Sequence, residues 1–247
     1  MGHTDATTGL LLDLDDTLID TRAGMVEAGR AAASVLWPGA GQVLHQAAGV
    51  HFQADPRGFF GKYVDGSLDF ASMRARRVAD LVETFSLTRV ADAQACFERV
   101  YEPAFRANVR CFDDVAPLLA WAAAARVPVG ILTNSGDHYT QVKLELSGLV
   151  DAFTVVVTRD TLGFGKPDPR AFHRACQQLG RAPVDTVYVG DHLSVDAAGA
   201  TEAGLYGVWL QRDTGDTEGA ARARELAIPV VSSLSRLPAL VAAHQGC

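Results

Sequence analysis

The chain has 247 residues, 48% of them hydrophobic, enough to bury a full α/β core and leave about 80 residues for a smaller second unit. With 22 Lys and Arg against 29 Asp and Glu, a net charge of −7 and a pI near 5.4, it offers no basic surface to nucleic acid or to an anionic membrane. Its apolar stretches stop short of the ~20 residues a spanning helix needs, and its first residues lack a basic, hydrophobic leader, so a soluble cytoplasmic protein is expected.

The first predicted element is a strand at about 10–14. Leu10, Leu11 and Leu12 form a short continuous apolar run, which suits a strand covered on both faces. It runs without a break into Asp13-Leu14-Asp15. Two carboxylates so close repel, and the usual remedies are a shared proton or a bound cation. Asp-rich turns also end strands by bonding their own backbone, so the pair alone leaves both readings open.

From about residue 22 to residue 109 the strand signal disappears. Residues 22–36 are Ala-rich and end at Trp37-Pro38-Gly39, residues 57–63 read as a Gly-interrupted loop, and Phe70, Met73, Val78, Leu81, Val82 and Phe85 recur at helical spacing. Ala93, Phe97, Val100, Tyr101 and Phe105 repeat that spacing, with Pro103 expected to kink or shorten the helix. This all-helical block reads as a cap over the carboxyl ends of the sheet, hinged near Asp20-Thr21 and near Arg110.

Beyond it, strands are predicted at about 127–133, 153–157, 186–190, 205–210 and 228–231. Helices alternate with them at about 114–125, 137–147, 168–179, 194–203 and 233–243. Such alternation predicts right-handed βαβ units and an α/β fold with a Rossmann-like, doubly wound parallel sheet. The expected domains are a core of residues 1–21 and 110–247 and a helical cap of residues 22–109.

The later strand ends carry chemistry too. Val127–Asn134 ends in Thr133 and Asn134, which also form ordinary turn material. Gly163-Phe-Gly-Lys-Pro-Asp-Pro169 fixes Lys166 in a stiff Gly/Pro loop, and Thr186–Asp196 delivers Asp191 and Asp196. His192, inside that last loop, reads as a solvated or supporting histidine rather than a catalytic one. The cysteines at 96, 111, 176 and 247 show no paired spacing, so neither zinc nor disulfides are expected.

Strand ends bearing Asp, Thr-Asn, Lys and Asp in that order resemble the haloacid dehalogenase (HAD) superfamily, and within it the phosphatases with a helical cap inserted after the first strand. The likeness runs from about Gly9 to about Leu240. It implies an Asp13 nucleophile, an Asp15 acid/base, Thr133 and Lys166 on phosphate, and Mg2+ held by Asp13, Asp191 and the backbone carbonyl of Asp15. It also implies a strand order that places residues 10–14 between 186–190 and 129–133.

Elementary chemistry agrees with those assignments. Phosphoryl transfer needs a nucleophile, a proton shuttle, and positive charge to offset the phosphoryl oxygens. Asp13 can take the phosphoryl group as an aspartyl-phosphate. Asp15, two residues on, leaves an extended segment on the same side and can protonate the leaving alcohol, then deprotonate water. Thr133 and Asn134 precede a helix start, where donors point at an anion, and Lys166 offers a single ammonium to phosphate and nucleophile. Asp191 and Asp196 are hard oxygen ligands for Mg2+; for Asp196, direct ligation, orientation of a metal water or of Lys166, and helix capping all stand.

Asp15 separates this chain from the dehalogenase branch, whose members lack the second acid. The stretch from Ala125 onward resembles pyrimidine-nucleotide, acylneuraminate and phosphoglycolate phosphatases. The expected activity is Mg2+-dependent hydrolysis of a small phosphorylated metabolite: a nucleoside monophosphate, a sugar phosphate or phosphoglycolate. A phosphotransferase of the β-phosphoglucomutase kind and a catalytically silent binding protein are the alternatives. The cap should choose the leaving group, with one or two of Arg57, Phe59, Phe60, Lys62, Tyr63, Arg74, Arg76 and Arg77 reaching substrate and the rest serving as surface.

Overall fold

In the computed structural model, whose described residues are 8–213 and 215–245, six strands form one parallel sheet. They are β1 (Gly9–Leu12), β2 (Val129–Leu132), β3 (Val155–Val157), β4 (Thr186–Gly190), β5 (Tyr206–Leu210) and β6 (Val230–Val231). Their order is β3-β2-β1-β4-β5-β6, so β1 lies between β2 and β4 as expected, with Leu10 opposite Val129 and Val187. Every residue of β1, β2 and β4 is buried, which is why these strands read as unbroken apolar runs. The chain reverses its direction of travel across the sheet between β1 and β4, the place where open α/β sheets leave a crevice outside their carboxyl ends.

The chain divides into two compact units, Asp20–Arg110 and the sequence on either side of it. The first contains α1 (Thr21–Leu36), α2 (Gln42–Ala54), α3 (Phe59–Val64), α4 (Phe70–Thr84) and α5 (Ala93–Asn108). Asp20 caps α1 through Ala23 N–H at 3.0 Å and Asp69 caps α4 through Ser72 N–H at 2.6 Å, each satisfying an otherwise orphaned donor. The Ala- and Gly-rich face of α1 packs on α2 because both helices are thin there: a Cβ on Gly49 would lie 2.3 Å from the Val26 carbonyl oxygen. On α5, Phe97, Tyr101 and Phe105 stack at 5.6 and 5.9 Å, and Phe52 of α2 lies 4.8 Å from Phe97.

Three expectations for this unit need correction. The stretch 57–63, read as a loop, contains helix α3, whose apolar Phe59 and Tyr63 bury one turn apart. Helix α5 is not shortened by Pro103 and continues to Asn108. Arg74 and Arg77 are not surface arginines: both are buried, Arg74 grips Glu98 with bonds of 2.7 and 2.9 Å, and Arg77 donates to the Phe52 carbonyl. Their guanidinium groups lie 4.7 and 4.3 Å from the Phe52 ring centre, and Arg74 lies 4.1 Å from that of Tyr101, so ring faces and carbonyls replace water.

The second unit adds α6 (Val115–Ala125), α7 (Asp137–Leu146), α8 (Arg159–Leu162), α9 (Pro169–Leu179), α10 (Gly199–Glu202), α11 (Thr217–Glu225) and α12 (Leu237–Gln245) to the sheet. Helix α9 starts with Pro169 after the Asp168 cap, and its buried stripe Ala171, Phe172, Ala175, Cys176 and Leu179 packs on Leu11, Leu132, Val157 and Tyr188. Phe172 alone contributes about 1.5–3 kcal/mol by burial. The helix expected at 194–203 is a π-helical turn, Leu193–Ala198, followed by α10, and α12 starts at Leu237 after a short 3-10 turn. Helix α11 was not anticipated because it buries only Ala223. Among the described residues no helix is long and apolar enough to cross a membrane, and Cys96, Cys111 and Cys176 are free thiols.

Candidate active site

Asp13 follows directly on β1, and its N–H donates to the Val189 carbonyl at 2.8 Å, locking the strand end against β4. The chain then turns back: Asp16 takes a positive φ of 55°, and Leu18 and Ile19 N–H both bond to the Leu14 carbonyl. Asp tolerates that left-handed conformation better than most residues. The carbonyl of Thr17 in this turn accepts Arg212 at 2.7 Å. Arg212 also forks onto Asp114 at 2.9 and 3.1 Å. Burial would raise the Asp114 carboxyl, but the bonds from Arg212, Ser233 and Leu234 N–H hold it below its ordinary range.

Asn134, just past the end of β2, spends its side chain on the loop that carries Lys166. Its side-chain oxygen accepts Lys166 N–H at 2.7 Å and its amide donates to the Lys166 carbonyl at 2.9 Å. The carboxamide thus clamps the main chain of the Gly/Pro loop, and the Lys166 side chain points inward. Thr133 is buried beside it, its hydroxyl accepting Ser135 N–H at 3.0 Å.

The Lys166 ammonium is 2.6 Å from Asp13 Oδ1, 2.6 Å from Asp196 Oδ1 and 2.7 Å from the Tyr188 hydroxyl, which uses all three of its protons. Tyr188 escaped the sequence reading because an interior residue of an apolar strand looks like core. Its hydroxyl lies 3.0 Å from the Leu132 carbonyl and 3.2 Å from Asp196 Oδ1. Burial, then the charges of Asp196 and Asp13, push the phenol well above its ordinary pKa, so it stays a neutral donor.

Asp196 comes from the π-helical turn, a geometry that often marks functional sites. Its second oxygen accepts His192 N–H at 3.0 Å, so it both orients Lys166 and closes its own turn. His192 is exposed and caps that turn through Val195 N–H. Asp191 is fixed by its carbonyl, which accepts the Trp209 indole N–H at 2.8 Å. Ligand oxygens of Asp13, Asp191 and Asp196 lie within 4.8 Å of one another. Asp15 stands apart from that trio, its carboxylate taken by Lys143 at 2.5 Å.

Charge around the trio is unbalanced, with three carboxylates answered by one ammonium. Burial raises Asp13 to about 7, with Lys166 opposing and Asp196 and Asp15 adding to the rise. Burial together with Asp13 and Asp196 raises Asp191 to about 9. Against burial, Asp13 and Asp196 hold the Lys166 pKa above its ordinary value. Clustered hard oxygen donors with surplus negative charge fit a divalent cation of the Mg2+ type.

Gly190 makes the cluster possible: a Cβ there would sit 2.4 Å from the Asp196 carboxyl carbon. Gly190→Ala is therefore expected to destabilise by about 1–3 kcal/mol, at roughly 2–4 °C of melting temperature per kcal/mol. Gly61→Ala, in open space on α3, should leave the melting temperature level or raise it slightly. Equal thermal melts for the two variants would contradict the close packing.

The sequence profile described as haloacid dehalogenase-like hydrolase matches residues 7–204. The chain belongs to that family. Phosphoserine phosphatase of Thermus thermophilus is 29% identical to this hydrolase over 227 residues, covering 82% of this chain and 88% of that one. Phosphoglycolate phosphatase of Yersinia pseudotuberculosis is 27% identical over 205 residues, covering 81% of each. The crystal structure of a putative HAD-hydrolase from Bacillus subtilis, bound to magnesium, superposes with a TM-score of 0.76 at 20% identity, covering 96% of the hydrolase and 99% of that chain, which establishes the shared fold.

Proposed function

We propose that the hydrolase is a Mg2+-dependent phosphatase of small phosphorylated metabolites that works through an aspartyl-phosphate on Asp13. The observation that carries this reading is the Asp13 carboxylate held 2.6 Å from the Lys166 ammonium, in a cluster of oxygens with Asp191 and Asp196 that can take a cation. A nucleophilic carboxylate needs such cationic company to approach a phosphate dianion. The names of the two relatives favour substrates of the phosphoserine and phosphoglycolate class; nucleoside monophosphates and sugar phosphates complete the set to be tried.

An oxygen of Asp13 attacks phosphorus as the ester P–O bond breaks, while Asp15 gives its proton to the departing alkoxide. Water then attacks the aspartyl-phosphate, Asp15 accepts its proton, and inorganic phosphate and free Asp13 result. Lys166, turning one of its three protons from a present partner to the phosphate, and Thr133 hold the non-bridging oxygens, while Asn134 fixes the backbone of the lysine. Mg2+, when held by Asp13, Asp191 and the Asp15 carbonyl, supplies the charge that offsets repulsion between nucleophile and phosphate. Asp196 serves Lys166. Every one of these groups belongs to the sheet unit, so choice of leaving group is assigned to the helical unit Asp20–Arg110 acting as a cap.

A panel of phosphomonoesters assayed for phosphate release tests the proposal. At least one should turn over at about 1 s−1 or faster, falling on the order of a hundredfold on chelation. Release that survives EDTA refutes it, and glucose 6-phosphate appearing from glucose 1-phosphate in place of phosphate would identify a mutase.

A further inference from the structure

The function proposed above leaves a buried lysine of the sheet unit unused. Lys143 lies on α7, outside every motif the sequence analysis singled out, and its residue is only 4% exposed. A lysine in a helix usually keeps its ammonium in water. Here the ammonium turns inward, to 2.5 Å from Asp15 Oδ1 and 3.0 Å from the Ser135 hydroxyl. Thr140, Val142 and Leu144 are buried around it on the same helix. The Asp15 side chain stays 30% exposed, against 5% for Lys143. The buried cation thus anchors an acid that still reaches solvent.

We infer that Lys143 is the positioning residue for proton transfer by Asp15, holding one carboxylate oxygen so that the other serves the leaving group. This rests on the phosphatase reading and deepens it. In the first half-reaction the Asp15 O–H gives its proton to the ester oxygen as that oxygen leaves phosphorus. The carboxylate so formed is received by the Lys143 ammonium. In the second half-reaction the same carboxylate takes a proton from water as the water oxygen bonds to phosphorus. An acid held at one oxygen by a buried charge loses little orientation between the two steps. Lys166 serves Asp13 and Asp196; Lys143 serves Asp15. The proposed nucleophile and the proposed acid/base thus meet different ammonium groups.

The test is leaving-group dependence of kcat/KM in the Mg2+-loaded enzyme. p-Nitrophenolate departs with little protonation, whereas phenolate needs the acid. Lys143→Met should lower kcat/KM about tenfold or less on p-nitrophenyl phosphate and about 10²–10³-fold on phenyl phosphate. Lys143→Arg should recover part of the difference, and the Met substitution should cost nothing further in an Asp15→Asn background. Should the Met variant fail to fold by circular dichroism, Lys143→Gln carries the same comparison. Equal losses on both esters, or full additivity with Asp15→Asn, overturn the inference. Wild-type turnover that is abolished by Asp13→Asn, with an unchanged leaving-group slope in the Lys143 variants, would sink this inference alone. A wild type inert toward both esters sinks the phosphatase reading with it.

Discussion

Asp13→Asn is expected to lower kcat by at least about 10⁴-fold while the melting temperature holds or rises. The magnitude follows from losing a group that acts as a unit with its partners, where single removals typically cost 10⁴–10⁶. An amide cannot form the acyl phosphate, so no residual route through the same intermediate remains. Stability goes the other way because Asp13 is buried and raised to about 7 by that burial and by Asp196 and Asp15. Its unfolded form ionises near 3.8, so between those two values the unfolded state binds fewer protons and stability drops as pH rises. Asparagine is neutral throughout, and its side-chain oxygen can still accept Lys166. Steady-state turnover and thermal melts at pH 8 without metal decide the point. A variant retaining more than one hundredth of wild-type turnover would remove Asp13 from the chemistry.

What the sequence made legible follows from where the signal is concentrated. Strands β1, β2 and β4 are buried on both faces, so their apolar runs stand out, and the polar residues that end them stand out equally. Asp13, Asp191 and Asp196 could be singled out for that reason and Lys166 for its stiff Gly/Pro loop, and the structure brings the four to one cluster. Lys143 and Tyr188 were invisible because their environments are set by residues 128 and 22 positions away; locally they are a helix lysine and a strand aromatic. Asn134 was seen, but its clamp on Lys166 was not, since that depends on two loops meeting. In the helical unit, small residues hid α2: its buried face is His45, Ala48, Gly49 and Phe52, correctly spaced but weakly apolar. Arg74 and Arg77 misled because a guanidinium stacked on Phe52 and Tyr101 behaves as core.

The second large effect is an inversion. Without divalent cations, Asp191→Asn should be more stable than wild type at pH 8, and Mg2+ should reverse the order. Burial, Asp13 and Asp196 raise Asp191 from 3.8 to about 9, the usual sign for a carboxyl whose folded environment disfavours charge. Below pH 4 the carboxyl is neutral in both states and the two proteins melt together. Between 4 and 9 the unfolded chain has lost a proton that the folded chain still holds, so wild-type stability falls with rising pH while the asparagine variant avoids that slope. The gap at pH 8 should reach about 1–4 kcal/mol. Cation binding converts the same charges from repulsive to coordinating, and at a thousand times Kd adds about 4.1 kcal/mol to the protein that binds it. The variant has lost a ligand, gains less, and loses on the order of 10³ in turnover. Thermal melts from pH 4 to 9, in EDTA and in excess Mg2+, show both signs in one experiment. A stability gap that does not change with pH, or equal stabilisation of both proteins by Mg2+, would mean that Asp191 is neither repelled by its neighbours nor a ligand to the ion.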